Sequence, residues 1–174
     1  MKWSDYILVA CLVALAVAGR LLPHLPDATP LTAVTLASVA YLGKRFALAV
    51  PLIAIFLSDL VIGFYDWRVM ASVYGSWLLI GLVSTVIKKY PGVLPVAAAT
   101  VASSVLFFIV TNFAVWAFSP WYPKDLSGLL YCYGMGLPFL RNMMLGDLLY
   151  TPALLGMLGV VRRFIKVSSP AYAQ

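Results

Sequence analysis

The chain has 174 residues, 63% hydrophobic and 10% charged, with a mean hydropathy of +0.98. Soluble domains are about half apolar and about a quarter charged, so this composition excludes a soluble globular domain and a disordered chain. Two cysteines, Cys11 and Cys132, exclude a disulfide scaffold, and a net charge of +6 with six acidic residues reports membrane orientation before it suggests nucleic acid. The composition predicts an all-α bundle of six transmembrane helices, one domain over residues 1–166, with a disordered tail at 167–174.

The first span is predicted from about Tyr6 to Leu22. Lys2, an apolar run and Ala16-Val17-Ala18 also resemble a signal peptide, but the segment is read as a retained span. Pro23, Pro26 and Pro30 break regular structure in the connection that follows. The second span, Leu31 to Gly43, reaches only about 20 Å against a hydrocarbon core of about 30 Å, so it is expected to lean on the Pro-rich segment or to be re-entrant. The third runs from Phe46 to Phe64 and carries Pro51 and Asp59; the fourth runs from Val69 to Ile87 and the fifth from Val93 to about Phe118. A loop rich in Trp, Tyr, Gly and Pro is expected from Ser119 to about Leu140, with Gly128, Gly134 and Gly136 as bending points. The sixth span is placed from about Arg141 to Val161.

With these spans, Lys2, Lys44, Arg45, Lys88, Lys89, Arg162, Arg163 and Lys166 gather on one side, against Arg20, Arg68, Lys124 and Arg141 on the other. The excess places both termini in the cytoplasm of a bacterial inner membrane. Polar residues collect at the opposite, extracellular end: His24, Asp59, Tyr74, Trp77, Asn112, Arg141 and Asp147. Ionisable groups inside spans are costly and face a bundle interior or a cavity. Asp59, Asn112, Arg141 and Asp147 would supply charge and hydrogen bonds to a ligand, and Tyr74, Trp77, Trp116 and Tyr133 would supply ring faces. The plainer reading is a packing clamp, in which the aspartates pair with Arg68, Arg141 or tyrosine hydroxyls, and the rings form an interfacial belt. Leu57-Ser58-Asp59-Leu60 echoes Leu145-Gly146-Asp147-Leu148 on spans of opposite direction, a weak sign of an inverted repeat. On the first span Ala10, Ala14 and Ala18 recur every four residues, a small-residue stripe that allows close helix approach.

The order of features is an Ala stripe, a Pro-rich outer linker, a short second helix, Gly43-Lys44-Arg45, and a third helix ending in Ser58-Asp59-Leu60. This order resembles the substrate-binding S-component of energy-coupling-factor vitamin transporters. The stretch Phe108 to Trp116, Tyr131-Cys132-Tyr133, Pro138-Phe139 and Leu145 to Leu148 resembles an uncharacterised membrane family of the same layout, and the similarity covers residues 5–163. The resemblance implies a six-helix bundle that captures a vitamin at its extracellular side. It also implies that Ala10, Ala14 and Ala18 face a membrane coupling subunit that works with two ATPases. Solitary members of the cobalamin type act without the ATPase module, and in such a protein His24, Asp59, the segment 72–77 and Arg141 would meet a corrinoid. That type ligates cobalt through a cysteine; here Ser72 stands in that region, which leaves Cys132 and His24 as the cobalt-contact candidates and puts corrinoid chemistry in question.

No P-loop, HExxH or CxxC motif occurs, no catalytic residue is assigned, and no cofactor is expected beyond the transported vitamin. A proton- or cation-coupled carrier using Asp59 and Asp147, and a small membrane enzyme acting through Cys132, are the rival classes.

Overall fold

A computed structural model describes residues 3–90 and 92–165; the expected tail at 167–174 lies outside them. The helices are α1 (Trp3–Leu21), α2 (Leu31–Tyr41), α3 (Lys44–Ile62), α4 (Trp67–Ser84), α5 (Val86–Lys89), α6 (Val93–Phe118) and α7 (Leu126–Ile165), and the described residues include no strand. Five segments are long and apolar enough to cross a membrane: Trp3–Leu21, Lys44–Ile62, Trp67–Lys89, Val93–Phe118 and Leu126–Val161. Helix is the natural state for such sequences, because in hydrocarbon each backbone N–H and C=O has to be satisfied within its own segment. Only 11% of the α1 window and 22% of the α6 window is buried inside the protein, so most of their apolar surface requires a hydrocarbon solvent.

The short second segment is the centre of the bundle. From Leu31 to Val39 every residue of α2 is buried, and α2 packs against each of the other helices. Two of its hydroxyls are satisfied within the helix: Thr35 donates to the Leu31 carbonyl and Ser38 to the Val34 carbonyl, each at 2.8 Å. Protein covers Leu31 to Val39, and Ala40 and Tyr41 at the end of the helix are partly exposed. Around α2 the core is built from Leu12, Ala16, Val50, Ile55, Trp77 and Ile80. Small residues let the backbones close up: a Cβ on Gly81 of α4 would stand 2.9 Å from the Ala47 carbonyl oxygen of α3.

Two ends of the bundle differ in character. At the mouth end lie the 22–30 connection, the C-termini of α1, α3 and α6, and the N-termini of α4 and α7. At the opposite, basic end Gly43 lies beside Lys88, and Lys44, Arg45 and Lys89 cluster with them in sequence and space. Helix α4 starts from Asp66, whose carboxylate accepts the Arg68 backbone N–H at 2.9 Å, and this N-cap bonds the Arg68 guanidinium as well.

One expected element is corrected. Most of the loop expected from Ser119 to Leu140 is helical, and α7 begins at Leu126 and runs for 40 residues. Asp125 sets its start: its Oδ1 accepts the Gly128 N–H at 2.7 Å and the Ser127 hydroxyl at 2.8 Å. Gly134, Gly136 and Pro138 lie within the helix and do not end it, as membrane helices tolerate both residue types.

Candidate functional site

Three helices meet at a buried carboxylate near the mouth. Asp59, in the last turn of α3, is 1% exposed, and its Oδ1 lies 2.7 Å from Nη2 of Arg20 in the last turn of α1. Its Oδ2 accepts the Tyr74 hydroxyl of α4 at 3.0 Å. The aspartate is therefore neutralised and bonded on both oxygens. Arg20 presents five N–H donors on a fixed planar fork. Among the described residues Arg20 donates to Asp59, and the same side chain lines a hollow above.

That hollow is 340 Å³ and is lined by Arg20, His24, Asp27, Tyr65, Trp77 and Phe107, among others. A second, of 460 Å³, shares Asp27, Tyr65, Val73 and Phe107 with it and adds Asn112, Thr111, Trp121, Tyr122 and Cys132. The two form one cleft between the 22–30 connection, α4, α6 and the first turns of α7. Trp77 forms part of its floor, almost fully buried, its ring 5.6 Å from that of Phe107. Asn112 donates to the Phe108 carbonyl at 2.9 Å, which leaves its Oδ1 as an acceptor; Gly136 of α7 leaves the space that Asn112 and Phe108 fill. His24 Nδ1 lies 2.6 Å from the Leu22 carbonyl, which can only accept, so Nδ1 carries the proton and Nε2 is the acceptor of the neutral ring.

Asp27 and Tyr65 form the rim. Asp27 holds a φ of 64°, a left-handed conformation that Asp and Asn tolerate better than other side chains. One side of the residue is open to solvent, yet its carboxyl is packed closely enough for desolvation to push its pKa above the ordinary value, against the pull of Arg20 and then His24. Burial likewise raises the Tyr65 phenol, with the Asp59 charge acting in the same direction and Arg20 against it.

Of the residues expected to bind, His24, Trp77 and Asn112 line this cleft; Asp59 and Tyr74 stand behind it and hold Arg20. Four do not belong to it. Trp116 donates its indole N–H to the Pro123 carbonyl at 2.8 Å and, with Lys124 bonded to the Trp116 carbonyl, ties down the short 119–125 connection. Tyr133 donates to the Ile109 carbonyl at 2.8 Å and stacks edge-on against Phe108, fastening α7 to α6. Arg141 is exposed and is not among the residues lining the cleft. Asp147 lies deeper than expected, because the early start of α7 puts it about 30 Å along that helix, at the middle of the bundle. There Thr32 and Ser104 donate to its Oδ2 at 2.9 and 2.7 Å. The Asp59 and Asp147 echoes thus lie at different depths. The clamp reading describes Asp59 in kind, through a tyrosine hydroxyl, but with Arg20 as the cation.

Sequence reasoning counted Asp27 among the polar residues and Tyr65 among the rings of the outer end without assigning them to the site, and gave Arg20 and Phe107 no role in it. Arg20 carried a usable signal: with α1 and α3 parallel, an arginine and an aspartate in the last turns of both stand at one depth. Cys132 is buried, with its thiol 3.4 Å from the Asn112 carbonyl at the edge of the second hollow. The Ala10, Ala14 and Ala18 stripe faces outward from α1, while Leu12 and Ala16 face the core.

These features define an all-α bundle with several membrane-length apolar helices and a polar cleft at one end. The chain belongs to a family of unknown function, DUF6580, whose family model matches residues 2–170. No curated protein and no solved structure matches it.

Proposed function

We propose that this is a membrane substrate-binding protein that captures a small organic solute of vitamin type in the mouth cleft. The observation that carries the reading is the convergence of Arg20, His24, Asp27 and Asn112, from separate parts of the chain, on a ring-walled cleft of two hollows that share Asp27, Tyr65, Val73 and Phe107. Its volume falls in the range of about 300–1,000 Å³ typical of small-molecule sites. Arg20, held in place by Asp59, offers donors to a carboxylate or carbonyl of the ligand; Asn112 Oδ1 and His24 Nε2 offer acceptors. Tyr65, Trp77 and Phe107 supply flat apolar walls. A corrinoid is the cobalamin-type version of this reading, with cobalt approached by His24 from the first hollow or Cys132 from the second. The positive-inside rule then puts the basic end in the cytoplasm of a bacterial inner membrane and the mouth outside. The exposed Ala10, Ala14 and Ala18 stripe suits a partner helix, such as the coupling subunit of an energy-coupling-factor transporter.

The test is binding by full-length protein in lipid nanodiscs, measured calorimetrically against a panel of water-soluble vitamins that includes cobalamin. Arg20→Ala should weaken binding of the recognised solute by roughly ten- to a hundredfold, as loss of a charged hydrogen bond does. Asn112→Ala should weaken it by about tenfold. Arg141→Ala and Tyr133→Phe should bind as the wild type does. Equal affinity in all four variants would remove the cleft from the mechanism.

A further inference from the structure

Asp147 has no part in the mouth cleft, and its surroundings are incomplete. It is 1% exposed; its Oδ2 is doubly bonded, but its Oδ1 has no hydrogen-bond partner. One turn further along α7, the buried Thr151 hydroxyl is also without a partner. The other helical threonines all donate, Thr35, Thr100 and Thr111 to the carbonyl four residues back and Thr32 to Asp147, so Thr151 is the one described helical threonine whose hydroxyl lacks a partner. Pro152 follows, and its missing N–H leaves the Leu148 carbonyl without its helical donor. A groove of 520 Å³ between α6 and α7 reaches all three residues. It runs from Gly92 and Gly156 near the basic end to Asp147 at mid-bundle, and most of its wall is apolar, including Val93, Val96 and Leu155. Among the described residues no Lys, Arg or His pairs with Asp147 or lines the groove.

We propose that Asp147, Thr151 and the Leu148 carbonyl form a binding site for a hydrated alkali cation that enters along the α6–α7 groove. An ionised carboxylate this deep requires a counter-charge, and hydroxyl donors alone do not supply one. The groups facing the groove are oxygens, the ligands of hard cations. A single carboxylate balances one positive charge, which selects a monovalent ion over a divalent one. The groove has room for waters to complete the coordination shell. No residue lines both the mouth cleft and the groove, and the cation site does not depend on the capture reading.

Full-length protein in nanodiscs is titrated with sodium chloride and with potassium chloride, each against choline chloride at constant ionic strength and pH, and thermal unfolding is followed. The melting temperature should rise and saturate with one or both alkali ions and not with choline. Asp147→Asn, nearly isosteric, should abolish the response. Thr151→Val, which preserves shape, should raise the half-saturating concentration about tenfold. The response is read with no solute present, and Arg141→Ala, which touches neither the cleft nor the groove, should keep it, so the result stands apart from the solute-binding test of the cleft. Identical melting in alkali and choline salts would overturn the site, with Asp147 then holding a proton. So would an unchanged saturating response in Asp147→Asn. If that variant does not fold, an unchanged half-saturation in Thr151→Val overturns it alone.

Discussion

The Arg20–Asp59–Tyr74 triad joins three helices at the mouth end of the bundle. Removing one charge of a buried pair strands the other. Asp59→Asn should therefore cost about 3 kcal/mol, the low end for such pairs, because the Arg20 side chain keeps 17% of its surface exposed. Denaturant unfolding in detergent measures this, and Tyr74→Phe should cost about half as much. Asp27 behaves oppositely. Its folded pKa is raised, so below the ordinary carboxylate pKa it costs nothing, and stability is lost as pH rises through the folded value. Asp27→Asn keeps the left-handed backbone and removes the titrating charge. It should melt higher than the wild type at neutral pH and the same in acid, and a wild-type advantage at neutral pH would refute the desolvation account.

At the scale of helices, α3, α4 and α6 were legible because long apolar runs ended by charges or Gly have few alternatives in hydrocarbon. About the first four turns of α7 were not. Gly128, Gly134, Gly136 and Pro138 read as loop by the rules of aqueous proteins, and the usable signal for the helix start, Asp125 directly before Leu126, was passed over. In a membrane the balance reverses, since an unpaired backbone costs more there than a glycine in a helix. That misplaced start also put Asp147 at the mouth instead of mid-bundle. The pairing of Arg20 with Asp59 was hidden for another reason: it depends on which helices are neighbours, which periodicity does not report. Polar clustering near the mouth was visible for His24, Trp77 and Asn112, whereas Phe107 and Tyr65 look like ordinary apolar and belt residues until the cleft is formed. Close helix contact yields its own prediction. Gly81→Ala places a methyl 2.9 Å from the Ala47 backbone oxygen, which cannot swing aside, and should destabilise by roughly 1–3 kcal/mol in the same unfolding assay.

For the whole molecule, the contrast between α1 and α2 is the main feature. Helix α1 turns much of its surface outward, and its Cys11 is exposed, whereas Cys132 is buried. In intact membranes an apolar maleimide should alkylate Cys11 and a charged one should not, with Cys132 resisting both until the protein is unfolded; mass spectrometry reads the outcome. Helix α2 is buried from Leu31 to Val39, and its 11 residues would span about half the hydrocarbon thickness. This has a consequence for biosynthesis. Residues 31–41 leave the ribosome before α3, α4, α6 and α7, the walls that will enclose them. An insertion machinery that sorts segments by length and greasiness has little reason to deliver so short a stretch to the bilayer on its own. Since α7 supplies part of the wall around α2, nascent chains truncated before α7 should leave residues 31–41 open to protease, and the finished protein should not.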